Sequence, residues 1–355
     1  MRISKYLKNI LLGSMVLIVF LLSGCAEVTN SPATESKPGI TITDMSGAQV
    51  KIPAAIDRIA DAWPAHHAIL CILGKGDKVV ATTAVAQRPW MEKINPQLNN
   101  AVAVFDTAGT NMEELVKAKP NIIFITSNSK NAGTLARLGI PVVQLYFTDF
   151  DSLKECVRIT GAILGEQAKN RAEKYIAYLD GKLAGITAIT SPIPREQRPK
   201  VLHITSLTPL MVDGKDTIVN SWIEVAGGTN VADMDGNGKE VSLEQVSNWN
   251  PDIIILGNTA FMKGGNIDGL LKNPAWQHVR AIKEGKVYIN PEGVFFWDRY
   301  GAEEALQIQW AAKLLHPNKF EHINMVKETI DFFKTFYNYD LSAEEAEKIL
   351  NGKRP

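Results

Sequence analysis

Apolar positions along this chain fall into two alternating patterns. Wholly apolar runs such as Ile122-Ile123-Phe124-Ile125 and Ile253-Ile254-Ile255-Leu256 have the character of short strands buried on both faces of a parallel sheet. Between such runs, apolar residues recur at helical spacing. Met112, Leu115 and Val116 follow a capping Asn111 and stop before Pro120, which predicts a short helix. GITITDMSGAQVKIP (39–53) alternates around an Asp-Met-Ser-Gly turn and predicts a β-hairpin. RIADAW predicts a strand, and Pro64 suits the first position of the helix that follows, AHHAILCILG. DKVVATTAV and NAGTLARLGIPVVQLYF continue the alternation of strand and helix with short connections, which argues for an α/β domain.

From Asp151 to about Ala188 almost every residue is compatible with helix, and Gly161 and Gly165 mark a break inside it. The second piece, Gln167 to Ala188, predicts a helix about 33 Å long. SPIPREQRPK ends it, and KVLHIT, IVNSWIEVAGG and GKVYINP restart the strand–helix scheme. The expected fold is therefore α/β, with two Rossmann-like lobes (40–165 and 191–355) joined by one long helix (166–190) and a cleft between them. The segment beyond Asn318 is expected to pack on the second lobe. One phrase occurs in both lobes: NMEELVKAKPNIIFI returns 131 residues later as SLEQVSNWNPDIIIL. Glu113 lies over Glu244, Pro120 over Pro251, and Ile122 and Ile123 over Ile253 and Ile254. The apolar half marks a helix-to-strand corner; the shared glutamate is not required by that corner.

The first residues change the picture. Arg2, Lys5 and Lys8 precede an apolar run from Ile10 to Leu22 and then Leu22-Ser23-Gly24-Cys25, the order of an export signal and too short to cross a bilayer. Leu-Ser-Gly-Cys resembles the lipobox of bacterial lipoproteins, which implies a signal peptide over 1–24 and lipidation of Cys25. Residues 25–39, rich in Ser, Thr and Pro, read as a flexible tether. Formal net charge is zero and no basic block occurs, so nucleic acid is not an expected partner. Cys71 and Cys156 lie in apolar helical runs without metal-ligand spacing. They are read as buried small hydrophobes, with a single disulfide as the alternative in an oxidising compartment.

TDMSGAQVKIPAAIDRIA, ILGKGDKVVAT, MEELVKAKPNIIFI, LGIPVVQL, EVAGGTNVAD, SLEQVSNWNPDIIIL and GKVYINP, in this order, resemble the substrate-binding proteins of ABC importers for iron–siderophore complexes, haem and vitamin B12. The resemblance implies an extracytoplasmic, lipid-anchored binding protein without catalytic activity and without an intrinsic cofactor. Its ligand would be an iron chelate, haem or a corrinoid, and its partner an ABC permease dimer with its ATPase. It also implies that Glu113 and Glu244 dock the two lobes on the permease. Each lies in the first turn of its helix, where a carboxylate is favoured. Simple helix N-terminal preference is the other explanation.

By the same resemblance, and by the rule that open α/β sheets bind at the carboxyl ends of their strands, ligand groups are expected on five loops. They are Trp63-Pro64-Ala65-His66-His67, Gln87-Arg88-Pro89-Trp90, Val104-Phe105-Asp106-Thr107, residues 205–209 and residues 292–300. The candidates are His66, His67, Arg88, Trp90, Phe105, Trp297, Arg299 and Tyr300. Rings would stack on a flat conjugated ligand, and arginine would pair with its carboxylates or catecholates. One of His66 and His67 is expected to face the cleft, as a metal ligand or a hydrogen-bond donor, and the other to pack. Phe295 and Phe296 are equally compatible with lobe core, Arg299 with a structural pair to Asp298 or Glu303, and His203 reads as core.

Three other readings have some footing. Asp233, Asp235, Asn237 and Glu244 fit the spacing of an EF-hand loop. However, the preceding helix ends too early, and Val241 offers no side-chain oxygen at the ninth position. A free divalent metal would need several convergent ligands, and only His66 and His67 begin such a set. An enzyme would need a nucleophile elbow, phosphate loop or HExxH pattern, none of which occurs in the sequence.

Overall fold

A computed structural model describes residues 39–84, 88–106, 109–127, 129–261 and 266–355. The signal segment, Cys25 and the tether up to residue 38 lie outside them, as do Gln87 and Thr107. Strands β1 (Ile40–Thr43) and β2 (Gln49–Ile52) pair antiparallel. The Asp44 carboxylate builds their turn, accepting from the amides of Ser46 (2.9 Å) and Ala48 (3.0 Å). Its other oxygen accepts from the Gln144 amide, which docks the hairpin on the first lobe.

That lobe is a five-stranded parallel sheet made of β3 (Ile59–Asp61), β4 (Val79–Thr83), β5 (Val102–Phe105), β6 (Ile122–Thr126) and β7 (Val142–Leu145). Its order is β5-β4-β3-β6-β7. The order reverses between β3 and β6, and the crevice beyond the carboxyl ends of strands at such a point is where open α/β sheets hold ligands. Helix α1 (Pro64–Ile72) starts there, with Pro64 in its first turn. Helices α2 (Pro89–Ile94), α3 (Met112–Lys117), α4 (Ala132–Ala136) and α5 (Phe150–Ile163) complete the lobe. Helix α6 (Glu166–Thr190) then runs unbroken for 25 residues. Gly161 sits inside α5, where a Cβ would lie 2.7 Å from that of Ala172; its bare backbone lets α5 and α6 approach closely.

The second lobe contains β8 (Lys200–Leu207), β9 (Leu210–Val212), β10 (Thr229–Asn230), β11 (Lys239–Glu240), β12 (Ile253–Leu256) and β13 (Val287–Ile289). Strands β8, β12 and β13 are parallel neighbours; β9 and β11 extend one edge antiparallel, and β10 pairs with the first residues of β8. Its helices are α7 (Ile218–Val225), α8 (Leu243–Trp249), α9 (Ile267–Lys272), α10 (Arg280–Lys283), α11 (Glu304–Leu315), α12 (Met325–Phe332) and α13 (Ala343–Leu350).

The repeated phrase builds the same corner twice. Asn111 caps α3 and Ser242 caps α8, each accepting a backbone N–H three residues on. Both helices end on a left-handed residue before the proline, Lys119 (φ 47°) and Asn250 (φ 44°). Next, Asn121 accepts from the Arg58 amide and Asp252 from the Lys200 amide. Ile122 then pairs with Ile59, and Ile253 with Val201.

One large apolar cluster joins α1, α5, α6, α7 and α11 to the carboxyl-terminal segment, while smaller clusters lie on the other face of each sheet. Helix α6 contributes Ala168, Ala172, Tyr175, Ile176 and Leu179 to it, so it is packed along its length rather than spanning solvent. The segment beyond Asn318 does not pack on the second lobe alone. The Trp90 indole donates to the Lys353 carbonyl (2.9 Å), and Lys93 pairs with Glu345. The Glu292 amide donates to Ile349 O (3.1 Å). From α6, Arg171 donates both to Ile72 O and to Phe336 O. The tail thus bridges both lobes, because the short α2 leaves Trp90 an apolar face and an N–H to cover.

Candidate ligand cleft

Asp61 ends β3 and organises the turn into α1, accepting from the Trp63 amide (3.0 Å) while its other oxygen faces His66 Nδ1 at 3.3 Å. His66 Nε2 lies 3.0 Å from the Thr160 hydroxyl. His67 Nε2 accepts from Asn95 Nδ2, whose second N–H goes to Gly76 O. Burial lowers the His67 imidazole to about 4, so it is neutral at neutral pH. Neither histidine faces the cleft, contrary to the expectation for one of them. Helix α1 is enclosed by the sheet, α5 and the tail, and Ala65 through Leu70 are all buried. A 100° step between neighbours therefore moves a side chain from one packed surface to another.

Trp90 and Trp297 are also core: the first is spent on Lys353, and the second is fully buried. Phe105 is buried but lines a cavity of about 250 Å³ at the carboxyl ends of the first sheet, with Ala62, Thr83, Asp106, Thr110 and Ile125. A cavity of about 610 Å³, lined by Arg195, Arg198, Lys200, Asp252 and Arg280, is larger. It opens at the amino ends of β8 and β10, the wrong end of the sheet for a ligand crevice.

Two candidates, Arg88 and Tyr300, make contacts across the cleft, and a third, Arg299, lies beside Tyr300. Arg88 of the first lobe stacks over Phe296 (3.9 Å) and Phe295 (4.8 Å) of the second, 3.6 Å from Glu292. Tyr300 holds a left-handed conformation (φ 58°) and accepts a hydrogen bond from Asn237. Its ring lies 6.1 Å from Trp63 and 5.6 Å from Phe147, and those two rings are 5.3 Å apart. Arg299 donates to Asp213 (2.7 Å) and Thr205 (3.2 Å), with 14 % of its side chain exposed. Phe147 and Asp213 escaped the sequence reading, and Asn237 entered it only through the EF-hand spacing. Phe147 could have been found as one of the two aromatics just beyond the carboxyl end of β7, whereas Asp213 carries no local signal. Glu303 accepts from the amides of Val294 and Phe295 and fixes the loop beneath these groups. Burial raises its carboxyl to about 8.

Glu113 and Glu244 are both exposed, each in the first turn of its helix. Glu113 pairs with Lys117 (2.8 Å); among the described residues Glu244 has no ion-pair partner. The Asp233–Gly238 loop spends its backbone on the neighbouring turn, through Lys215 N to Met234 O and Gly236 N to Lys215 O. No group of three His, Cys, Asp or Glu side chains able to hold a metal ion occurs among the described residues. Cys71 and Cys156 are free thiols, both pushed up in pKa by burial. No helix among the described residues is long and apolar enough to cross a membrane.

Residues 59–293 match the model of the periplasmic binding protein family. The molybdate-binding protein MolA of Haemophilus influenzae is 26% identical over 345 residues, covering 86% of this chain and 93% of that protein. The iron(3+)-hydroxamate-binding protein FhuD of Bacillus subtilis is 24% identical, covering 82% of this chain and 93% of its own length. Among solved structures, a periplasmic solute binding protein from Veillonella parvula superposes with a TM-score of 0.77 at 28% identity, covering 88% of this chain and 97% of that one.

Proposed function

This chain belongs to the periplasmic binding protein family, and on that premise we propose that it captures an iron chelate outside the cytoplasm and delivers it to an ABC permease dimer driven by its ATPase. The observation that carries the ligand class is the meeting of Trp63, Phe147 and Tyr300 across the cleft, with Arg299 next to Tyr300 in the chain. A ferric chelate presents conjugated faces to rings and anionic oxygens to a guanidinium. Haem and corrinoids share part of that chemistry. The similarity to FhuD supports the chelate.

A second reading, a metal oxyanion, is favoured by the small cavity of about 250 Å³, below the roughly 300–1,000 Å³ usual for larger organic ligands, and by the similarity to MolA. Lipidation of Cys25 would hold the protein at the membrane. The exposed Glu113 and Glu244 would seat one lobe each on the permease. Pairs of that kind contribute about 0–1 kcal/mol each and serve orientation and on-rate more than affinity. The relatives are named for what they bind, which supports capture without turnover.

The test is titration of the purified protein with a ferric hydroxamate, a ferric catecholate, haemin, cyanocobalamin and molybdate, following tryptophan fluorescence and Tm. One-to-one quenching by a ferric chelate is expected, with stabilisation of about 2.7 kcal/mol at a hundred times Kd. A response to molybdate alone selects the second reading, and silence towards all five removes both.

A further inference from the structure

His203 stands in the middle of β8, fully buried, with a carboxylate on each ring nitrogen. Nδ1 is 2.9 Å from Asp213 Oδ2, and Nε2 is 3.0 Å from Asp298 Oδ2. The second contact is an ion pair rather than an aligned hydrogen bond. Both carboxylates turn their same oxygens to Arg299: Nη2 lies 2.7 Å from Asp213 Oδ2, and Nε 3.5 Å from Asp298 Oδ2. The four side chains close a ring of alternating charge. Only Arg299 reaches solvent; the other three are 0–1 % exposed. The floor is Gly257, where a Cβ would stand 2.5 Å from Asp298 Oδ2 and 3.0 Å from His203 Cε1. No side chain fits there, so the packing is built around this ring.

We propose that His203 is a positioning residue for ligand recognition: it grips Asp213 and Asp298, which in turn hold the Arg299 guanidinium at the cleft, and its charge sets how strongly Arg299 attracts an anion. This rests on the reading of Arg299 as a ligand-binding group. With His203 protonated, two cations balance two carboxylates and the field of Arg299 is felt in the cleft. With His203 neutral, the ring carries a net negative charge behind Arg299. Burial alone would lower the His203 imidazole, but Asp213 and Asp298 outweigh it and raise it. Of the other groups around the ring, Trp222 on α7 stands perpendicular to His203 and carries no charge, with ring centroids 6.0 Å apart. The Glu304 carboxyl on α11 is driven up by burial. Tyr300 adjoins Arg299, and Arg88 and Glu292 face Asp298 as a compensating pair.

The full chain, labelled with ¹⁵N-histidine, gives the His203 titration by NMR without any ligand. His203 should titrate above the ordinary value of about 6.5, higher still in Arg299→Gln, and lower in Asp298→Asn. A titration indifferent to Arg299→Gln overturns the ring. A hexadentate ferric tris-catecholate, which stays a trianion over this range, then serves as the anion probe by tryptophan quenching from pH 6 to 9. Its affinity should fall about fivefold or more as pH rises through the His203 titration, should be weak in Arg299→Gln, and should show no such step in His203→Gln. If Arg299→Gln abolishes binding while His203→Gln keeps the wild-type pH profile, the positioning role fails and the ligand reading stands. If wild type binds no ferric catecholate, the chelate reading fails and the proposal falls with it. Should His203→Gln not fold, Asp298→Asn carries the same comparison.

Discussion

His67 and Glu303 act on stability in opposite directions over overlapping ranges of pH. The imidazole of His67 is lowered from 6.5 to about 4 by burial, so the native state binds fewer protons than the unfolded chain between those values. Its contribution is full above 6.5 and is lost as pH falls toward 4. Burial raises the Glu303 carboxyl from 4.5 to about 8, so its contribution is full below 4.5 and is lost as pH rises to 8. The two slopes cancel between about 4.5 and 6.5, and only the loss remains above. Between pH 6.5 and 8 Glu303 contributes a fall of about 2 kcal/mol, at 1.36 kcal/mol per unit, and the raised Glu304 carboxyl and His203 imidazole act in the same direction. Urea midpoints at pH 5, 6.5 and 8 measure it, and Glu303→Gln should flatten the upper limb. A midpoint that climbs toward pH 8 would contradict the assignment. None of this was legible in the sequence, where one of His66 and His67 was expected to face the cleft and the other to pack. Burial on every side of α1 depends on α5 and the tail, which begin 78 residues or more beyond its end.

At the scale of elements, the strands and the two corners were legible because their signals are local: apolar runs, a capping residue, a proline after the stop. The corner's left-handed residue was not, since Lys119 carries no mark of it while Asn250 does. A left-handed non-glycine residue costs about 1–2 kcal/mol, and Lys119→Gly should recover part of that, about 1 kcal/mol, in chemical denaturation; Asn250→Gly should change little. Equal effects at both sites would mean that strain at Lys119 is compensated locally. The bridging tail was misread for the opposite reason. Its partners Trp90 and Lys93 lie about 250 residues upstream, and amphipathic spacing tells that a helix has a buried face without telling against what. Removing residues 341–355 uncovers the sites of Leu341 and Ile349, both buried. We expect a loss of about 3–6 kcal/mol, read from the urea midpoint. An unchanged midpoint would show the bridge to be idle.

For the whole molecule, the same bridge and α6 fasten the lobes at two places, so ligand capture should leave the radius of gyration in small-angle scattering nearly unchanged. A contraction typical of hinge closure would refute that. Reversing Glu113 and Glu244 to Lys together should abolish uptake in cells while ligand affinity of the purified protein stays the same. Lost affinity would mean that these residues belong to the cleft. The cleft itself was half legible. Loops at strand ends pointed to Arg88, Arg299 and Tyr300, because topology fixes which loops converge. Which residue of a loop turns outward is decided by contacts such as Glu303 to Val294 and Phe295, and Trp297 was lost to the core on that account.

The hydrogen bond from Trp90 to Lys353 spans 263 positions, and this bears on the order in which the protein comes into being. A chain that emerges from a membrane amino terminus first presents α1, α2 and the indole of Trp90 long before the segment that covers them. Until that segment arrives, the first lobe shows an apolar face with nothing to bury it. It must therefore remain open, or be sheltered by a chaperone, through most of the passage. Maturation of the early half is timed by the release of the late one.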